Sequence, residues 1–420
     1  MSQYNPQVEI LTERSQIAAG RDQTVDVLLR ITPPAVQEST RQRPKLNLSL
    51  VLDRSGSMSG DKMQRAREAS AYCLDQLLPS DRVSVVIFDD VVEVLIPSQP
   101  VENKEHLKAR LNDVWARNST ALHEAWVRGG MQVSGALATG AINRVLLITD
   151  GLANVGLTNT DEIVTQAKGL SERGVSTSTI GIGADFNEDL LVPMATAGGG
   201  NSWHVERADD MQRIFAVELE GLVAQIGHGV TLRVTPANGA RITDALNDFA
   251  RNSNGDYMLP NLQAGAPLDI VLQVRVPANF AGQRSKLFDA VLEFTPQAGC
   301  ERVTLPNTLE AEFAEPEAVT QLSVNHEVTA AVQFLVNARA RREAMQYMDA
   351  GNYAQAQQVV QAAYSATMVA CAPMASSANV QDELASLNEV AASLQTRGDD
   401  KMSRKRLLYQ AVQRATGRKS

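Results

Sequence analysis

Residues 47–57 read Asn47-Leu-Ser-Leu-Val-Leu-Asp53-Arg-Ser55-Gly-Ser57. This stretch is an apolar strand that runs directly into a short polar loop, and apolar residues recur at helical spacing over 61–78. Further along the chain, strand and helix patterns alternate. The predicted strands are 82–88, 144–149, 175–182 and 201–206, and the predicted helices are 103–116, 121–133, 161–173, 187–196 and 208–226. This alternation predicts a doubly wound, mostly parallel α/β sheet of Rossmann-like type.

Strand patterns also lie on both sides of this α/β region. Residues 8–32 contain two alternating runs, and residues 228–313 contain three more. A lone hairpin is not stable in water, so we expect the early strands to complete a later β-sandwich. The α/β domain is then an insertion in that sandwich. The predicted domains are N-terminal sandwich strands (1–44), the α/β domain (45–226), the sandwich (227–315), and a helical C-terminal region with a basic tail (316–420).

The charge distribution is uneven. The 420 residues include 39 Lys and Arg and 48 Asp and Glu, a net charge of −9, which argues against a general nucleic-acid binder. Residues 401–420 hold seven basic and no acidic side chains, so the rest of the chain carries −16. The tail is predicted to be an amphipathic helix that docks on the acidic body or meets an acidic partner, RNA or an anionic membrane surface. Its candidate partner-binding residues are Arg404, Lys405 and Arg406.

The sequence also favours a compartment. The cysteines at 73, 300 and 371 have neither metal-ligand spacing nor the density of a disulfide-stapled domain. The first residues lack the features of a signal peptide, and no apolar run reaches 18 residues. We therefore expect a soluble, cytoplasmic protein without a transmembrane segment.

Oxygen-bearing side chains follow several of the predicted elements. Asp53, Ser55 and Ser57 alternate after the first α/β strand, Thr120 precedes a helix, and Asp150 follows the strand at 144–149. The carboxyl ends of parallel strands meet at one edge of the sheet, where ligands bind in open α/β folds. Oxygen donors gathered at one point suit a small, hard cation.

These residues carry a family resemblance. Asp53-x-Ser55-x-Ser57, the later Thr120 and Thr149-Asp150-Gly151 resemble the metal-ion-dependent adhesion site (MIDAS) of the von Willebrand factor A domain. The chain is similar to stand-alone bacterial proteins of this family and to the A domains of inter-alpha-trypsin inhibitor heavy chains. The resemblance implies that the five residues hold Mg²⁺, with Mn²⁺ or Ca²⁺ as alternatives, and that a partner's Asp or Glu completes the metal shell. It further implies a non-enzymatic adaptor, with a multi-protein machine such as a MoxR-type AAA+ ATPase as a partner class by analogy.

Two other functions stay open. Asp53 could serve a Mg²⁺-dependent phosphatase or hydrolase, although the residue two positions on is Ser55 rather than a second acid. The protein could instead be a scaffold that binds mainly through its C-terminal helices. Self-association is a further prediction, because an acidic linker at 310–317 could offer a carboxylate to the metal of a second copy.

Other conspicuous residues receive simpler interpretations. His123 and His204 are expected near the metal face, where they could contact the partner. Trp115, Trp126 and Trp203 are expected to fill the core, since large apolar side chains are usually buried.

Overall fold

The structure is a computed structural model that describes residues 5–35, 43–117, 119–138, 140–296, 301–396 and 400–416. Its strands are β1 (Gln7–Thr12), β2 (Gln16–Ala18), β3 (Gln23–Thr32), β4 (Leu46–Asp53), β5 (Arg82–Phe88), β6 (Val92–Pro100), β7 (Ile142–Thr149), β8 (Ser176–Ile182), β9 (Gly199–Val205), β10 (Gln225–Pro236), β11 (Arg241–Ala245), β12 (Tyr257–Met258), β13 (Leu262–Gln263), β14 (Leu268–Val276), β15 (Arg284–Pro296) and β16 (Val303–Ala314).

The helices alternate with strands in the middle of the chain and dominate its end. They are α1 (Asp61–Gln76), α2 (Lys104–Asn112), α3 (Leu122–Ser134), α4 (Thr160–Glu172), α5 (Glu188–Ala197), α6 (Met211–Val223), α7 (Pro316–Thr320), α8 (His326–Asp349), α9 (Tyr353–Ala370), α10 (Ala378–Thr396) and α11 (Asp400–Ala415). The described residues divide into two compact units. One lies within residues 41–224, and the other combines the preceding segment with residues 225–296 and the chain from residue 301 onward.

The first unit is built on a six-stranded sheet with the order β6-β5-β4-β7-β8-β9. All neighbouring strands run parallel except β6, which pairs antiparallel with β5. Every residue of β4 is buried, as expected for a central strand covered on both faces. The predicted α/β fold class is therefore confirmed. The sequence reading missed β6, because Pro97 and Pro100 interrupt its pattern, and such breaks are tolerated only at a sheet edge.

Helices cover both faces of this sheet. The side chains of α1, α2 and α6 share one core with Leu48, Leu50 and Leu52 of β4. The opposite face carries α3, which approaches β4 so closely that a Cβ on Gly129 would lie 2.4 Å from Val51 Cγ2. A glycine is required at this point because any side chain would separate helix and strand.

The second unit contains a β-sandwich. One sheet has the order β1-β3-β14-β11, and the other runs β12-β10-β15-β16-β2, with β13 also paired to β10. Leu29 and Ile270 from the first sheet share a core with Leu232, Phe288 and Phe294 from the second. Since β1, β2 and β3 precede the α/β unit in sequence and the other strands follow it, the predicted insertion in a sandwich is confirmed.

One sequence interpretation about this unit is wrong. The stretch 310–317 is not an acidic linker, because Glu310 and Glu312 lie within β16, where they pair in register with Lys286 and Arg284 of β15. Alternating burial of β16 around Leu309, Ala311 and Phe313 shows a half-buried strand whose charges face outward. Only the last residues of the stretch enter α7.

The C-terminal region consists of helices α7 to α11. Ala344 of α8, Val360 of α9, Leu387 of α10 and Leu407 of α11 belong to one buried core. Within this region Glu383 is fully buried and pairs with Arg341 at 2.7 Å and with Arg414 at 2.9 Å. Among the described residues, no helix is both long and apolar enough to cross a membrane.

Candidate metal site

The candidate site lies at the edge of the α/β sheet where the parallel strands end. Asp53 is the last residue of β4, and Asp150 follows β7, which is the neighbour of β4 in the sheet. Ser55 and Ser57 lie in the loop that leads into α1, and Thr120 lies just before α3. The fold therefore brings residues separated by nearly 100 positions to one edge.

The five predicted side chains converge. Ser57 Oγ donates to Asp150 Oδ1 at 2.7 Å, and the hydroxyls of Ser55 and Ser57 are 3.1 Å apart. Three of the side-chain oxygens also surround Gly151. A Cβ built on this glycine would lie 3.5 Å from Thr120 Oγ1, 3.7 Å from Ser57 Oγ and 3.8 Å from Asp53 Oδ2. The structure thus places the oxygens of all five residues around one small volume.

Asp53 has the electrostatic environment of a buried anion. Its side chain is 0% exposed and accepts hydrogen bonds from Thr149 Oγ1 at 2.5 Å and from the Ser55 amide at 2.7 Å. Burial raises the pKa of Asp53 to about 6, although these hydrogen bonds oppose the shift, and the Asp150 carboxylate adds repulsion. In the described part of the chain no basic side chain forms an ion pair with Asp53. A cation bound here would therefore relieve the cost of keeping this carboxylate charged.

Lys62 is the one basic group in direct contact with the cluster among the described residues. Its Nζ lies 2.5 Å from Asp150 Oδ2, on the side of the carboxylate opposite Ser57. Sequence reasoning missed this residue. A usable signal existed, because Lys62 lies in the first turn of α1, where the helix dipole disfavours a cation and a nearby anion is needed to hold it.

The donor set fits a hard divalent cation. No cluster of three or more His, Cys, Asp or Glu side chains suited to a metal occurs in the described ranges. A metal here would depend on three hydroxyls and two carboxylates, and oxygen donors of this kind are those that Mg²⁺ and Ca²⁺ prefer. The residues that would hold it are Asp53, Ser55, Ser57, Thr120 and Asp150.

A second set of contacts, which the sequence did not reveal, fixes the loops. Arg54 points away from the cluster and pairs with Asp89 at 3.1 Å, and Asp89 also binds Arg117 at 2.5 Å. Burial opposes ionisation of Asp89, but the bonds from Arg117 and Val91 and the charge of Arg54 outweigh it and lower the pKa of Asp89. On the other side, Asn154 Oδ1 accepts from the Thr120 amide at 2.9 Å.

The two histidines lie on α3 and β9 and are half-buried. His123 is in the first turn of α3, where Nε2 is 2.9 Å from Gln166 Oε1. His204, in β9, places Nε2 2.9 Å from the carbonyl oxygen of Gly183, and a Cβ on Gly183 would lie 3.7 Å from Lys62 Nζ. His204 is therefore linked to the cluster through Gly183 and Lys62, whereas partner contact by either histidine stays a prediction.

The three basic residues proposed from the tail lie on α11 in the other unit. Arg404 pairs with Asp349 at 2.7 Å, Arg406 pairs with Glu389 at 2.9 Å, and Lys405 is 2% exposed. Their charges are engaged within the chain, and partner binding through them stays a prediction.

One of the tryptophan expectations is wrong. Trp126 is buried and donates to Thr177 Oγ1, and half-buried Trp203 donates to Glu218. Trp115, however, is 70% exposed, because α2 ends at Asn112 and the indole lies in the loop beyond it.

Comparison with known proteins is consistent with this geometry. Residues 47–217 match the family described as von Willebrand factor type A domain. Over 209 residues the chain is 27% identical to the uncharacterized protein YfbK of Escherichia coli K12, covering 49% of this chain and 36% of that protein. Over 206 residues it is 26% identical to human inter-alpha-trypsin inhibitor heavy chain H4, covering 47% of this chain and 22% of that protein. The chain thus aligns with less than half the length of these curated relatives.

A solved structure extends the likeness of fold to nearly the whole chain. The von Willebrand factor type A protein from Catenulispora acidiphila superposes with a TM-score of 0.70 at 19% identity, over 92% of this chain and 90% of that one. At this identity the likeness concerns the fold alone.

Proposed function

We propose that the chain, whose residues 47–217 match the von Willebrand factor type A domain, binds a protein partner through a divalent cation held at the edge where β4 and β7 end. Domains of this family commonly mediate protein–protein interactions. The observation that carries the proposal is the convergence of Asp53, Ser55, Ser57, Thr120 and Asp150 on one volume next to exposed loops. Two carboxylates leave a divalent ion short of anionic ligands, so the ion stays available to a carboxylate of the partner.

The protein's own side chains hold the two carboxylates of the site in fixed positions. Thr149 and the Ser55 amide fix the Asp53 carboxylate, and Ser57 fixes one oxygen of Asp150. A bound cation would supply an electrophilic centre for the partner's carboxylate. Mg²⁺ is the proposed ion, with Mn²⁺ and Ca²⁺ as alternatives.

The enzymatic alternative receives less support from the site. A phosphoryl-accepting aspartate must be open to attack its substrate, whereas the Asp53 carboxylate is 0% exposed and hydrogen-bonded at both oxygens. The neighbouring position that would need a second acid holds Ser55, so no general acid or base is evident there. We propose a non-enzymatic role. A component of a multi-protein assembly, such as a MoxR-type AAA+ ATPase, remains a candidate partner by analogy.

Metal binding is the first test. Isothermal titration of the full chain with Mg²⁺ and Mn²⁺ should give one site in the wild type and none in Asp53→Ala. Asp61→Asn is the matched control, because Asp61 is an exposed acid at the start of α1 outside the cluster. Circular dichroism verifies that each variant is folded, and equal metal affinity in wild type and Asp53→Ala would contradict the proposal.

Partner binding is the second test. Affinity purification with Mg²⁺ or EDTA, compared between wild type and Asp53→Ala, should recover a protein that is lost on chelation and in the variant. Recovery that is the same under all four conditions would exclude the metal site from binding and would favour a scaffold acting through the C-terminal helices.

A further inference from the structure

Large apolar side chains are exposed on the loops that surround the candidate metal site. Trp115 is 70% exposed, Leu152 is 54% exposed and Val155 is 36% exposed. We name these three residues the apolar rim. Single exposed apolar residues are common on protein surfaces, but a group on loops tied to one site indicates an interaction surface.

Trp115 is held in place although its ring is exposed. The Arg67 guanidinium lies 5.0 Å from the ring centroid, and its Nη1 donates to the carbonyl oxygen of Asn112 at 2.8 Å. The Arg117 amide donates to the carbonyl oxygen of Arg54 at 2.7 Å, which ties this loop to the residue between Asp53 and Ser55. A fixed aromatic ring loses little conformational entropy on binding and makes a good anchor.

Leu152 and Val155 are tied to the site on its other side. The amides of Asn154 and Val155 each donate to the carbonyl oxygen of Thr120 at 3.3 Å, and the Thr120 amide donates back to Asn154 Oδ1 at 2.9 Å. Leu152 lies two residues after Asp150. The apolar rim is therefore connected by backbone hydrogen bonds or by adjacency to Arg54, Thr120 and Asp150.

From this arrangement we infer that the domain recognises a partner segment in which an Asp or Glu is flanked by large apolar side chains. The inference rests on the proposed function and specifies its partner. The acidic group is complementary to the bound cation and to Lys62, whose side chain is 32% exposed beside Asp150. The flanking apolar groups pack on Trp115, Leu152 and Val155, which excludes water from the carboxylate and strengthens its interaction with the cation.

A peptide-display experiment on the full chain tests this inference. A library of nine-residue segments, random except for a central Asp or Glu, is selected in Mg²⁺ and eluted with EDTA. The selected segments should be enriched in Trp, Phe, Leu or Ile beside the acid. Synthetic peptides of the selected sequence should bind Trp115→Ala and Leu152→Ser at least tenfold more weakly than wild type, whereas Mg²⁺ affinity should be unchanged.

The controls separate this inference from the proposed function. Leu137→Ser removes a side chain with a similar exposure of 49%, located before β7 and so at the opposite sheet edge, and should leave peptide affinity unchanged. Peptides that need Mg²⁺ and Asp53 but are indifferent to Trp115 and Leu152 would overturn the inference and leave the proposed function intact. Peptides that bind equally in EDTA and to Asp53→Ala would contradict both. A selection that enriches no segment in Mg²⁺ would overturn the inference alone, since metal titration judges the site independently.

Discussion

Alternate residues of the loop after β4 have different structural roles. Asp53, Ser55 and Ser57 take part in the cluster, whereas Arg54 turns to the other side and is only 7% exposed. Its guanidinium lies 3.1 Å from Asp89 and 3.3 Å from Glu93. The alternation of the motif therefore has a structural counterpart, in which the intervening basic residue fastens the loop to the end of β5.

Asp89→Asn tests this fastening. The variant removes the buried carboxylate that faces Arg54 and leaves this charge only the half-exposed Glu93, and breaking a buried pair in this way costs about 3–5 kcal/mol. Urea unfolding should show a loss in that range for Asp89→Asn. Glu93→Gln should cost less than about 1 kcal/mol, because Glu93 is half exposed. Equal effects of the two variants would contradict a specific role for Asp89.

The stability difference between wild type and Asp89→Asn should depend on pH, because the pKa of Asp89 is lowered in the folded state. A carboxylate with a lowered folded-state pKa stabilises the fold above its unfolded pKa of about 3.9 and loses this contribution as pH falls through the folded value. The stability gap between wild type and Asp89→Asn should therefore be constant near neutral pH and shrink below about pH 4. Unfolding curves across that range measure it, and a gap that widens on acidification would contradict the assignment.

We expect the ammonium group of Lys62 to compete with a metal ion for the Asp150 carboxylate. This ammonium group already compensates part of the charge of Asp150, so a metal must bind against a neighbouring positive charge. Lys62→Met should tighten Mg²⁺ binding about tenfold, or about 1.4 kcal/mol, by calorimetric titration. Lys168→Met, which removes an exposed lysine from α4, should not change it. Weaker binding in Lys62→Met would show that the lysine organises the site rather than opposing the metal.

The residues predicted from the sequence were those with a regular spacing next to strand ends. Asp53, Ser55 and Ser57 are close in sequence, and Asp150 follows from the rule that parallel strands end at one edge. Thr120 precedes a helix, and its role as a ligand was implied by the family resemblance. Lys62, Asp89 and Asn154 were not predicted, and Thr149 was named only as a part of the motif, because their roles depend on side-chain directions that only the folded loops define. The exposure of Trp115 was missed for the same reason, since its apolar character alone favours burial.

At the scale of elements, α11 is a part of the helical core rather than a detachable tail. Leu407 and Ala411 are fully buried, Asn247 donates to the carbonyl oxygen of Ala415, and Arg414 binds buried Glu383. The positive charge of the segment was evident from composition. Its partners were not, because Asp349, Glu383 and Glu389 lie on other helices and no local spacing links them to α11.

Deleting residues 400–420 should therefore damage the helical region and not merely remove a basic arm. The loss of helical circular dichroism should exceed the 16 residues of α11. The paired variant Arg404→Gln and Arg406→Gln is the control, because its ion pairs have exposed partners and should cost less than about 1 kcal/mol each. A deletion that loses only the signal of α11 would show that the helix is independent.

The strands also divide into those that the sequence predicts and those that it does not. The buried strands β4, β5, β7 and β8 were predicted from their length and from their apolar or β-branched residues. Edge and irregular strands were not: β6 contains two prolines, and the last part of β16 was read as a linker because Glu310 and Glu312 dominate it. In these segments the pairing partner, rather than intrinsic propensity, determines the strand.

At the scale of the whole molecule, the chain has two units with separate cores and separate buried ion pairs. Within residues 41–224, Arg144 binds Glu218 at 2.9 Å, and both are nearly inaccessible. Burial opposes ionisation of Glu218, but Arg144 and bonds from Asn201, Ser178 and Trp203 lower its pKa below the ordinary value. The second unit has the corresponding pair of Arg341 and Glu383.

A substitution in either pair should destabilise only the unit that contains it, so such variants assign each unfolding transition of the intact chain to one unit. Saturating Mg²⁺ at about 100 times its Kd should stabilise the unit that contains the proposed metal site by about 2.7 kcal/mol, which corresponds to about 5–10 °C for a unit of this size. Glu218→Gln should lower the same calorimetric transition, whereas Glu383→Gln should lower the transition that Mg²⁺ does not move. Asp53→Ala should abolish the Mg²⁺ shift and leave the Glu383-dependent transition in place. A Mg²⁺ shift of equal size in both transitions would mean that the units unfold as one, and a shift that persists in Asp53→Ala would place the cation elsewhere.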